Sequence, residues 1–262
     1  MIAIFLLCRV WNALIAASVC ACSFFIVRNN FEINYYDVLF LSLGLLFLVC
    51  FANAHNDIID FEIDKINRLN RPLPSGKISI MAAYRLLGIL VFFTLFFSLL
   101  AGVKFTFLFL AAILLCFAYN RFLKGLPLVG NFTVALLSTM PVVIPIINFG
   151  LPQPKLLTLT FSAFMLTFAR EITKDIEDME GDKSKNLKTL PLLTSINISL
   201  ALVLIIHFQC LLQIAIFNPF LLVGAVPFIT LSIIFAILKK WNISQNMLKL
   251  AMIGVLIAFL PP

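Results

Sequence analysis

Long runs of uncharged residues set the strongest limit on how this chain can fold. Four of them are each near the roughly 20 residues that an α-helix needs to cross a bilayer. They are Val10 to Val27, Val38 to Asn56, Leu86 to Val103 and Phe105 to Asn120. With 62% hydrophobic and only 12% charged residues, a soluble domain of 262 residues could not bury so much apolar surface. The sequence therefore predicts a helical integral membrane protein.

The later runs bring the predicted number of spans to nine. Residues 125–154 are uncharged but end in a segment rich in Gly and Pro, which is typical of one helix and a loop. A sixth helix is predicted from about Leu156 to Ala169. Residues 189–238 are too long for one span and are expected to break at Asn218-Pro219, and a ninth helix is predicted from Ser244 to Leu260. Without a Gly-rich or Pro-rich linker, residues 1–262 are expected to form one transmembrane domain.

The distribution of Lys and Arg predicts the orientation in the cell membrane. If the N-terminus is cytoplasmic, all basic residues except Arg28, Lys104 and Lys155 lie at cytoplasmic helix ends, as the positive-inside rule requires. A basic surface facing lipid headgroups also accounts for the formal charge of +7, so no nucleic-acid partner is expected. The six cysteines show no metal-type spacing and are expected to act as small apolar residues.

The acidic residues are concentrated in two predicted cytoplasmic segments, which the orientation rule does not require. In each segment, three side chains fall on one helical face, because steps of three or four residues return close to a full turn. These stripes consist of Asn56, Asp60 and Asp64 in the first segment and of Asp175, Asp178 and Asp182 in the second. Glu62, Glu177 and Glu180 point away from the stripes.

Both stripes are predicted on the same side of the membrane, because four spans separate them. Two carboxylate stripes facing one cavity would repel each other unless cations joined them, and oxygen-only ligands suit Mg²⁺, which keeps positions open for phosphates. Basic residues follow both stripes, so an anionic substrate is the simplest interpretation. These are Arg68, Arg71 and Lys77 after the first, and Lys183, Lys185 and Lys188 after the second. Solvated loops whose acids balance nearby lysines are the alternative.

Four stretches resemble the UbiA superfamily of intramembrane prenyltransferases. They are Arg9 with Asn12, Asn56-Asp-Ile-Ile-Asp60-Phe-Glu-Ile-Asp64 with Asn70-Arg-Pro-Leu-Pro-Ser-Gly76, Tyr119 with Leu123 to Asn131, and Lys174-Asp-Ile-Glu-Asp-Met-Glu-Gly-Asp182 with Lys188-Thr-Leu-Pro191. The last third of the chain contributes only hydrophobicity to the resemblance. The resemblance implies an all-α bundle of about nine transmembrane helices around a central cavity with a cytoplasmic Asp-rich site. The similar Arg71-Pro-Leu-Pro and Lys188-Thr-Leu-Pro sequences indicate a parallel internal repeat of about four helices.

Within the superfamily, residues 170–182 most resemble the archaeal ether-lipid branch. That branch transfers a geranylgeranyl group from its diphosphate to geranylgeranylglyceryl phosphate, so a prenyl diphosphate donor and a phosphorylated lipid acceptor are the expected partners. The resemblance implies two Mg²⁺ ions held by the six stripe residues. Tyr119, Lys124 and Lys174 are the expected catalytic residues, with the Tyr119 ring facing an allylic carbocation and the lysines holding diphosphate oxygens. The residues expected to bind substrate are Arg9, Asn12, Asn53, Arg68, Arg71, Asn131 and Lys188.

Two other functions fit the sequence. A cation transporter would use intramembrane carboxylates, but transporters place them near the midplane, whereas these lie at predicted helix ends. The same chemistry with an aromatic or chlorophyll-like acceptor is poorly separated by the sequence.

Three further side-chain roles follow from the sequence. His55 is a candidate base, although it points about 100° from Asn56. His207 is expected to pack or hydrogen-bond inside the seventh helix. An acceptor phosphate would need surplus cations, for which the candidates are Arg9, Arg68 and Lys185.

Overall fold

The structure is a computed structural model that describes residues 2–27, 31–150, 153–184, 187–217 and 221–259. Over these residues the chain is helical and contains no strand, as the sequence predicts. The helices are α1 (Ile2–Cys8), α2 (Val10–Ile26), α3 (Tyr35–Ile59), α4 (Phe61–Asn67), α5 (Ile80–Ala101), α6 (Val103–Ala118), a π-helix (Tyr119–Leu123), α7 (Val129–Ser138), α8 (Met140–Phe149), α9 (Pro154–Glu177), α10 (Met179–Ser184), α11 (Leu190–Leu193), α12 (Ile196–Phe217), α13 (Leu221–Ile237) and α14 (Trp241–Phe259).

The chain divides into two compact units. The first consists of Met1–Phe24 and Asn30–Arg121, and the second consists of Phe25–Asn29 and Phe122–Pro262. In the first unit, α3 packs against α1, α5 and α6. In the second unit, α9 packs against α7, α8, α12 and α14, while α13 packs against α14. Each acidic segment therefore begins at the end of a helix that is central to its own unit.

Fewer helices than predicted are long and apolar enough to cross a membrane. Within the described residues there are five, namely α3, α5, α6 together with the π-helix, α9 and α12. Two bent pairs, α1 with α2 and α7 with α8, meet at angles of 56° and 55° and raise the number to seven if each pair is one span. The structure thus supports five to seven spans by length and composition.

The predicted helix from Val10 to Val27 is present as α2 and is preceded by the short helix α1, whereas residues 125–154 form one helix more than predicted. Arg9 separates α1 from α2 and has a φ of 46°, a conformation that is uncommon for residues other than glycine. Residues 125–154, predicted as one helix and a loop, contain the two helices α7 and α8. The helix restarts at Met140 because Pro141 has no amide hydrogen for the carbonyl four residues earlier, which suits the first turn of a new helix.

Other helix boundaries follow local hydrogen bonding. Asn34 caps α3 by accepting a hydrogen bond of 3.1 Å from the Tyr36 amide, and Ser79 caps α5 by accepting one of 3.2 Å from the Ala82 amide. The long run 189–238 is divided into α12 and α13, as predicted, although Asn218 and Pro219 lie outside the described residues.

Candidate active site

The first acidic segment continues its helical face through a short break. Asp60 lies between α3 and α4 with φ −82° and ψ 3°. Its amide donates to the Asn56 carbonyl at 2.9 Å, and the Asp64 amide donates to the Asp60 carbonyl at 2.8 Å. Because four-residue bonding persists on both sides of Asp60, Asn56, Asp60 and Asp64 keep the shared face that the sequence predicts.

Two arginines neutralise buried carboxylates in this segment. Arg9 Nη2 donates to Asp57 Oδ1 at 2.8 Å. Arg71 Nη1 donates to the same oxygen at 3.1 Å and to Asp64 Oδ2 at 2.5 Å. The side chains of Asp57 and Asp64 are each only 5% exposed, and a buried charge is tolerated only when it is paired. Arg71 therefore ties the end of α3 to α4.

The strained backbone at Arg9 aims its guanidinium at this segment. Asn53 Nδ2 donates to the Cys8 carbonyl at 3.2 Å, and Asn53 Oδ1 accepts from Arg9 Nη1 at 3.5 Å. Residues held in sparsely populated conformations persist where their surroundings determine them, and they cluster at functional sites. Arg9 and Asn53, both predicted to bind substrate, are thus brought together with Asp57.

The sequence interpretation overlooked Asp57. The sequence predicts Asn56 as the first ligand of the stripe, and in the structure Asn56 Nδ2 donates to Asp60 Oδ2 at 3.1 Å. Asp57, Asp60 and Asp64 have the same three-and-four spacing as the aspartates of the second segment. An alignment of the two segments would have revealed Asp57 as the counterpart of Asp175.

The second segment repeats the backbone of the first. Asp178 lies between α9 and α10 with φ −88° and ψ 4°. Its amide donates to the Lys174 carbonyl at 2.9 Å, and the Asp182 amide donates to the Asp178 carbonyl at 2.9 Å. The matching geometry at Asp60 and Asp178 agrees with the predicted internal repeat.

A neutral side chain holds Asp175. Asn131 is buried at the start of α7, and its Nδ2 donates to Asp175 Oδ2 at 2.8 Å. The turn before α7 is tight, because a Cβ at Gly130 would lie 2.9 Å from the Leu123 carbonyl oxygen. The Lys188 amide donates to the Gly125 carbonyl at 3.1 Å, which attaches this turn to the chain that follows α10.

The remaining predicted site residues lie in different surroundings. Tyr119 begins the π-helix and is half-buried, as is Lys124 just after it. Such helices are frequent at functional sites. Lys174 Nζ lies 3.8 Å from Glu171 Oε2. Asn12, Arg68 and Lys188 have exposed side chains, and Arg68 reaches Asp64 only through its backbone amide, which donates to the Asp64 carbonyl at 2.8 Å. Lys185 lies outside the described residues.

Both histidines are buried and hydrogen-bonded inside the protein. His55 is buried, stacks on Phe51 with ring centroids 5.6 Å apart and meets Phe117 edge-on at 4.3 Å. Its Nδ1 is 2.8 Å from Asn120 Nδ2, and since the amide nitrogen is a donor, Nδ1 is the acceptor. Nδ1 is therefore engaged with Asn120 in this arrangement. His207 is buried, with Nδ1 2.6 Å from the Val203 carbonyl oxygen, as expected for a hydrogen-bonding residue inside a helix.

The chemistry of these donors suits a hard divalent cation. Within the part of the chain that the structure describes, no group of three His, Cys, Asp or Glu side chains is arranged to hold a metal ion. Mg²⁺ does not require such a group, because it is usually bound by one or two carboxylates and by substrate phosphates. The all-oxygen donors of the two segments therefore fit Mg²⁺ when a phosphate-bearing substrate is present.

The second unit also contains an apolar cavity of about 720 Å³. It is lined by α7, α8, α9 and α12, with Phe161, Phe164 and Leu157 contributed by α9. The Oε1 atom of Gln213, on its wall, is buried without a hydrogen-bond partner among the described residues. The cavity has the apolar character that a lipid chain requires.

Apolar helices of membrane-spanning length, two of which end in acidic segments of matching backbone, define a helical integral membrane protein. The family model of the UbiA prenyltransferase family matches residues 10–260. The chain belongs to this family.

Relatives of known name indicate one branch of the family. The chain is 44% identical over 156 residues to digeranylgeranylglyceryl phosphate synthase of Pyrococcus horikoshii, an alignment that covers 57% of this chain and 55% of that protein. It is 34% identical over 241 residues to the synthase of the same name from Methanosphaera stadtmanae, with 86% of each chain covered. The chain thus spans little more than half of the first relative and most of the second.

Solved structures share the fold over nearly the whole chain. A structure of digeranylgeranylglyceryl phosphate synthase in membranes matches with a TM-score of 0.74 and 26% identity, covering 98% of this chain and 96% of that one. A UbiA homologue from Archaeoglobus fulgidus bound to DMAPP and Mg²⁺ matches with a TM-score of 0.67 and 17% identity, covering 96% of this chain and 98% of that one. The all-helical fold of the family is therefore present here.

Proposed function

We propose that this protein transfers a geranylgeranyl group from geranylgeranyl diphosphate to geranylgeranylglyceryl phosphate and releases diphosphate. The observation that carries the proposal is the Asp-x-x-Asp-x-x-x-Asp array, which occurs at the ends of both α3 and α9 with the same backbone break. The acceptor is the one that digeranylgeranylglyceryl phosphate synthases use, and two relatives of this chain are enzymes of that name. The reaction forms the second ether bond of an archaeal membrane lipid.

Metal binding is assigned to both arrays. Asn56, Asp60, Asp64, Asp175, Asp178 and Asp182 would hold two Mg²⁺ ions, to which we add Asp57 as the counterpart of Asp175. When bound, Mg²⁺ supplies Lewis-acid stabilisation of the departing diphosphate. The Archaeoglobus fulgidus homologue, which binds DMAPP and Mg²⁺, supports Mg²⁺ as the ion and a prenyl diphosphate as the donor.

Cationic side chains bind and orient the diphosphate. Lys124, Lys174 and Lys188 donate charge-assisted hydrogen bonds to its oxygens. The Arg71 guanidinium donates further hydrogen bonds after it moves away from Asp57 and Asp64. Arg9 holds Asp57 in place rather than serving as a surplus cation, because it already bonds that carboxylate at 2.8 Å.

The transfer step exchanges one carbon–oxygen bond for another. The bond between C1 of the prenyl group and the diphosphate oxygen breaks, and its electron pair leaves with the diphosphate. The ring of Tyr119 faces the allylic carbocation, and the apolar surroundings exclude water. The glyceryl hydroxyl then bonds to C1 and gives up its proton late in the step to an oxygen of the released diphosphate, so no strong base on the protein is needed.

The membrane arrangement completes the proposal. Nine spans result if α13 and α14 also cross, in addition to the five long helices and the two bent pairs. The N-terminus and both acidic segments are placed on the cytoplasmic side because most Lys and Arg residues lie at those helix ends. We treat residues 1–262 as one catalytic domain around a central cavity. Labelling of single cysteines introduced at positions 65 and 183 should modify both from the cytoplasmic face, whereas labelling from opposite faces contradicts this topology.

The aromatic acceptor and the transporter are the competing functions. An experiment that separates them supplies purified protein with geranylgeranyl diphosphate, Mg²⁺ and one acceptor at a time. Mass spectrometry should find the diether phosphate with geranylgeranylglyceryl phosphate and little product with 4-hydroxybenzoate or homogentisate. Efficient prenylation of an aromatic ring alone contradicts the acceptor and leaves the fold intact, and the absence of any transfer contradicts the enzyme.

A further inference from the structure

A second group of charged side chains lies on α9, one helical turn before the acidic segment. Glu171 is only 6% exposed and pairs with Arg170, whose Nη2 donates to Oε1. Lys174 Nζ lies 3.8 Å from its other oxygen. Lys249 of α14 interacts electrostatically with both Arg170 and Glu171. Three cations therefore surround one carboxylate, which leaves a net charge of about +2.

Part of this positive charge is unused within the described residues. Arg170 Nε is buried without a hydrogen-bond partner, which is costly unless a further acceptor arrives. Among the described residues, Lys249 has no carboxylate within hydrogen-bond distance. Its Nζ donates instead to the neutral Asn246 Oδ1 at 3.2 Å. The group is thus prepared for an anion that the diphosphate site does not account for.

We infer that Arg170 and Lys249 form a separate subsite for the phosphate monoester of the acceptor, an inference that rests on the proposed function. A phosphate monoester carries about −1.5 to −2 charges at neutral pH, opposite in sign to the net charge of about +1 that Arg170 and Lys249 keep beside Glu171 when Lys174 serves the diphosphate. Glu171, the carboxylate to which Arg170 donates, precedes Asp175 by four residues on the same face of α9, a rise of about 6 Å along the helix. One glycerol unit can therefore place its phosphate at Arg170 and its hydroxyl near the prenyl carbon.

The subsite uses other cations than those predicted from the sequence, and one of them comes from the last third of the chain. The cations expected to serve the acceptor are Arg9, Arg68 and Lys185, of which Arg9 is committed to Asp57 and Lys185 lies outside the described residues. The last third of the chain, which looked like hydrophobic sequence alone, supplies Lys249 and also Gln245, whose Nε2 donates to Glu177 Oε2 at 2.6 Å. Helix α14 thus contributes to the active end of α9.

Substitution of the two cations tests the subsite. Lys249→Gln should raise the KM for geranylgeranylglyceryl phosphate about tenfold through loss of one charge-assisted contact, and leave the KM for geranylgeranyl diphosphate within about twofold. Arg170→Gln should have a larger effect on the same constant. Lys240→Gln, at an exposed position just before α14, is the matched control and should change neither constant.

An acceptor without its phosphate separates binding from a structural role. With geranylgeranylglycerol, wild type and Lys249→Gln should have equal kcat/KM, because no phosphate is present to lose a contact. If Lys249→Gln lowers kcat/KM equally for both acceptors, the ion group only joins α9 to α14 and the inference is wrong. The inference is also wrong if the effect requires vesicles containing phosphatidylglycerol and vanishes in phosphatidylcholine, since the anion would then be a bulk lipid headgroup.

The same assay distinguishes failure of the subsite from failure of the function. If wild type produces the diether phosphate but Lys249→Gln keeps the wild-type acceptor KM, the subsite alone is overturned. If wild type makes no product from the glyceryl phosphate, both the proposed function and the subsite are overturned.

Discussion

The two acidic segments have one backbone and two electrostatic environments. In the first, the buried carboxylates of Asp57 and Asp64 accept hydrogen bonds from Arg9 and Arg71. In the second, Asp175 accepts from the neutral amide of Asn131, and the nearby cations are grouped on Glu171 one turn earlier. The two segments thus share the spacing of their carboxylates but differ in the side chains that bond them. The buried carboxylates of the first segment are paired with arginines, whereas Asp175 of the second segment is held by a neutral amide.

The largest expected effect concerns the central aspartate of each segment. Asp60→Asn and Asp178→Asn should each lower kcat by about 10²–10³-fold, because either change removes a proposed Mg²⁺ ligand worth several kcal/mol in the transition state. Product formation followed by mass spectrometry at saturating Mg²⁺ measures the loss. Wild-type activity in excess chelator, or in either variant, would refute the shared role of the two segments.

Because buried ion pairs are found in the first segment, removing a cation there should lower the free energy of unfolding more than removing one after the second segment. Arg71→Gln leaves the buried carboxylates of Asp57 and Asp64 with one cation fewer and should lower the free energy of unfolding by about 3 kcal/mol. Lys188→Gln, an exposed position after the second segment, should change it by no more than about 0.5 kcal/mol. Thermal unfolding in detergent without substrate measures both. Equal destabilisation by the two substitutions would show that the ion pairs do not set the segments apart.

The neutral partner of Asp175 predicts a change in metal dependence. Asn131→Leu should raise the Mg²⁺ concentration for half-maximal activity by about 10–100-fold, since an outer hydrogen-bond partner orients a metal ligand. Arg9→Gln should raise it less, because Asp57 keeps its bond to Arg71. A Mg²⁺ titration of initial rates provides the comparison. An unchanged requirement in Asn131→Leu would mean that Asp175 is not a ligand.

The smallest effects are expected at the glutamates between the aspartates. Glu177 and Glu180 are exposed, and Glu177 bonds Gln245 rather than a residue of the acidic stripe. Glu177→Gln and Glu180→Gln should therefore change kcat by about twofold or less. If either equals Asp178→Asn in its effect on the same assay, the assignment of faces is incorrect.

The membrane helices and the acidic faces could be predicted because they depend on local periodicity. Uncharged runs near 20 residues long indicated the long helices, and four-residue spacing gave the face of Asp60 and Asp64. The predicted total of nine spans exceeds the five to seven that length and composition support in the described residues. Run length alone does not reveal the bends at Arg9 and Thr139, which depend on tertiary contacts and on proline placement.

The partners of the site residues could not be predicted, because they join positions far apart in sequence. The bonds of Asn131 to Asp175 and of Arg9 to Asp57 each connect residues more than 40 positions apart. Lys249 could not be assigned to Glu171 without the packing of α14 on α9. Asp57 is different, since an alignment of the two segments contained the information.

The most direct test of the proposed metal site is metal binding in the presence of an unreactive donor analogue. Electron paramagnetic resonance can measure Mn²⁺ binding to the purified protein with geranylgeranyl thiolodiphosphate. If both segments serve one metal–diphosphate complex, Asp60→Asn and Asp178→Asn should each weaken Mn²⁺ binding at least about tenfold, because each removes a carboxylate ligand. Normal binding in either variant would contradict the proposed metal site.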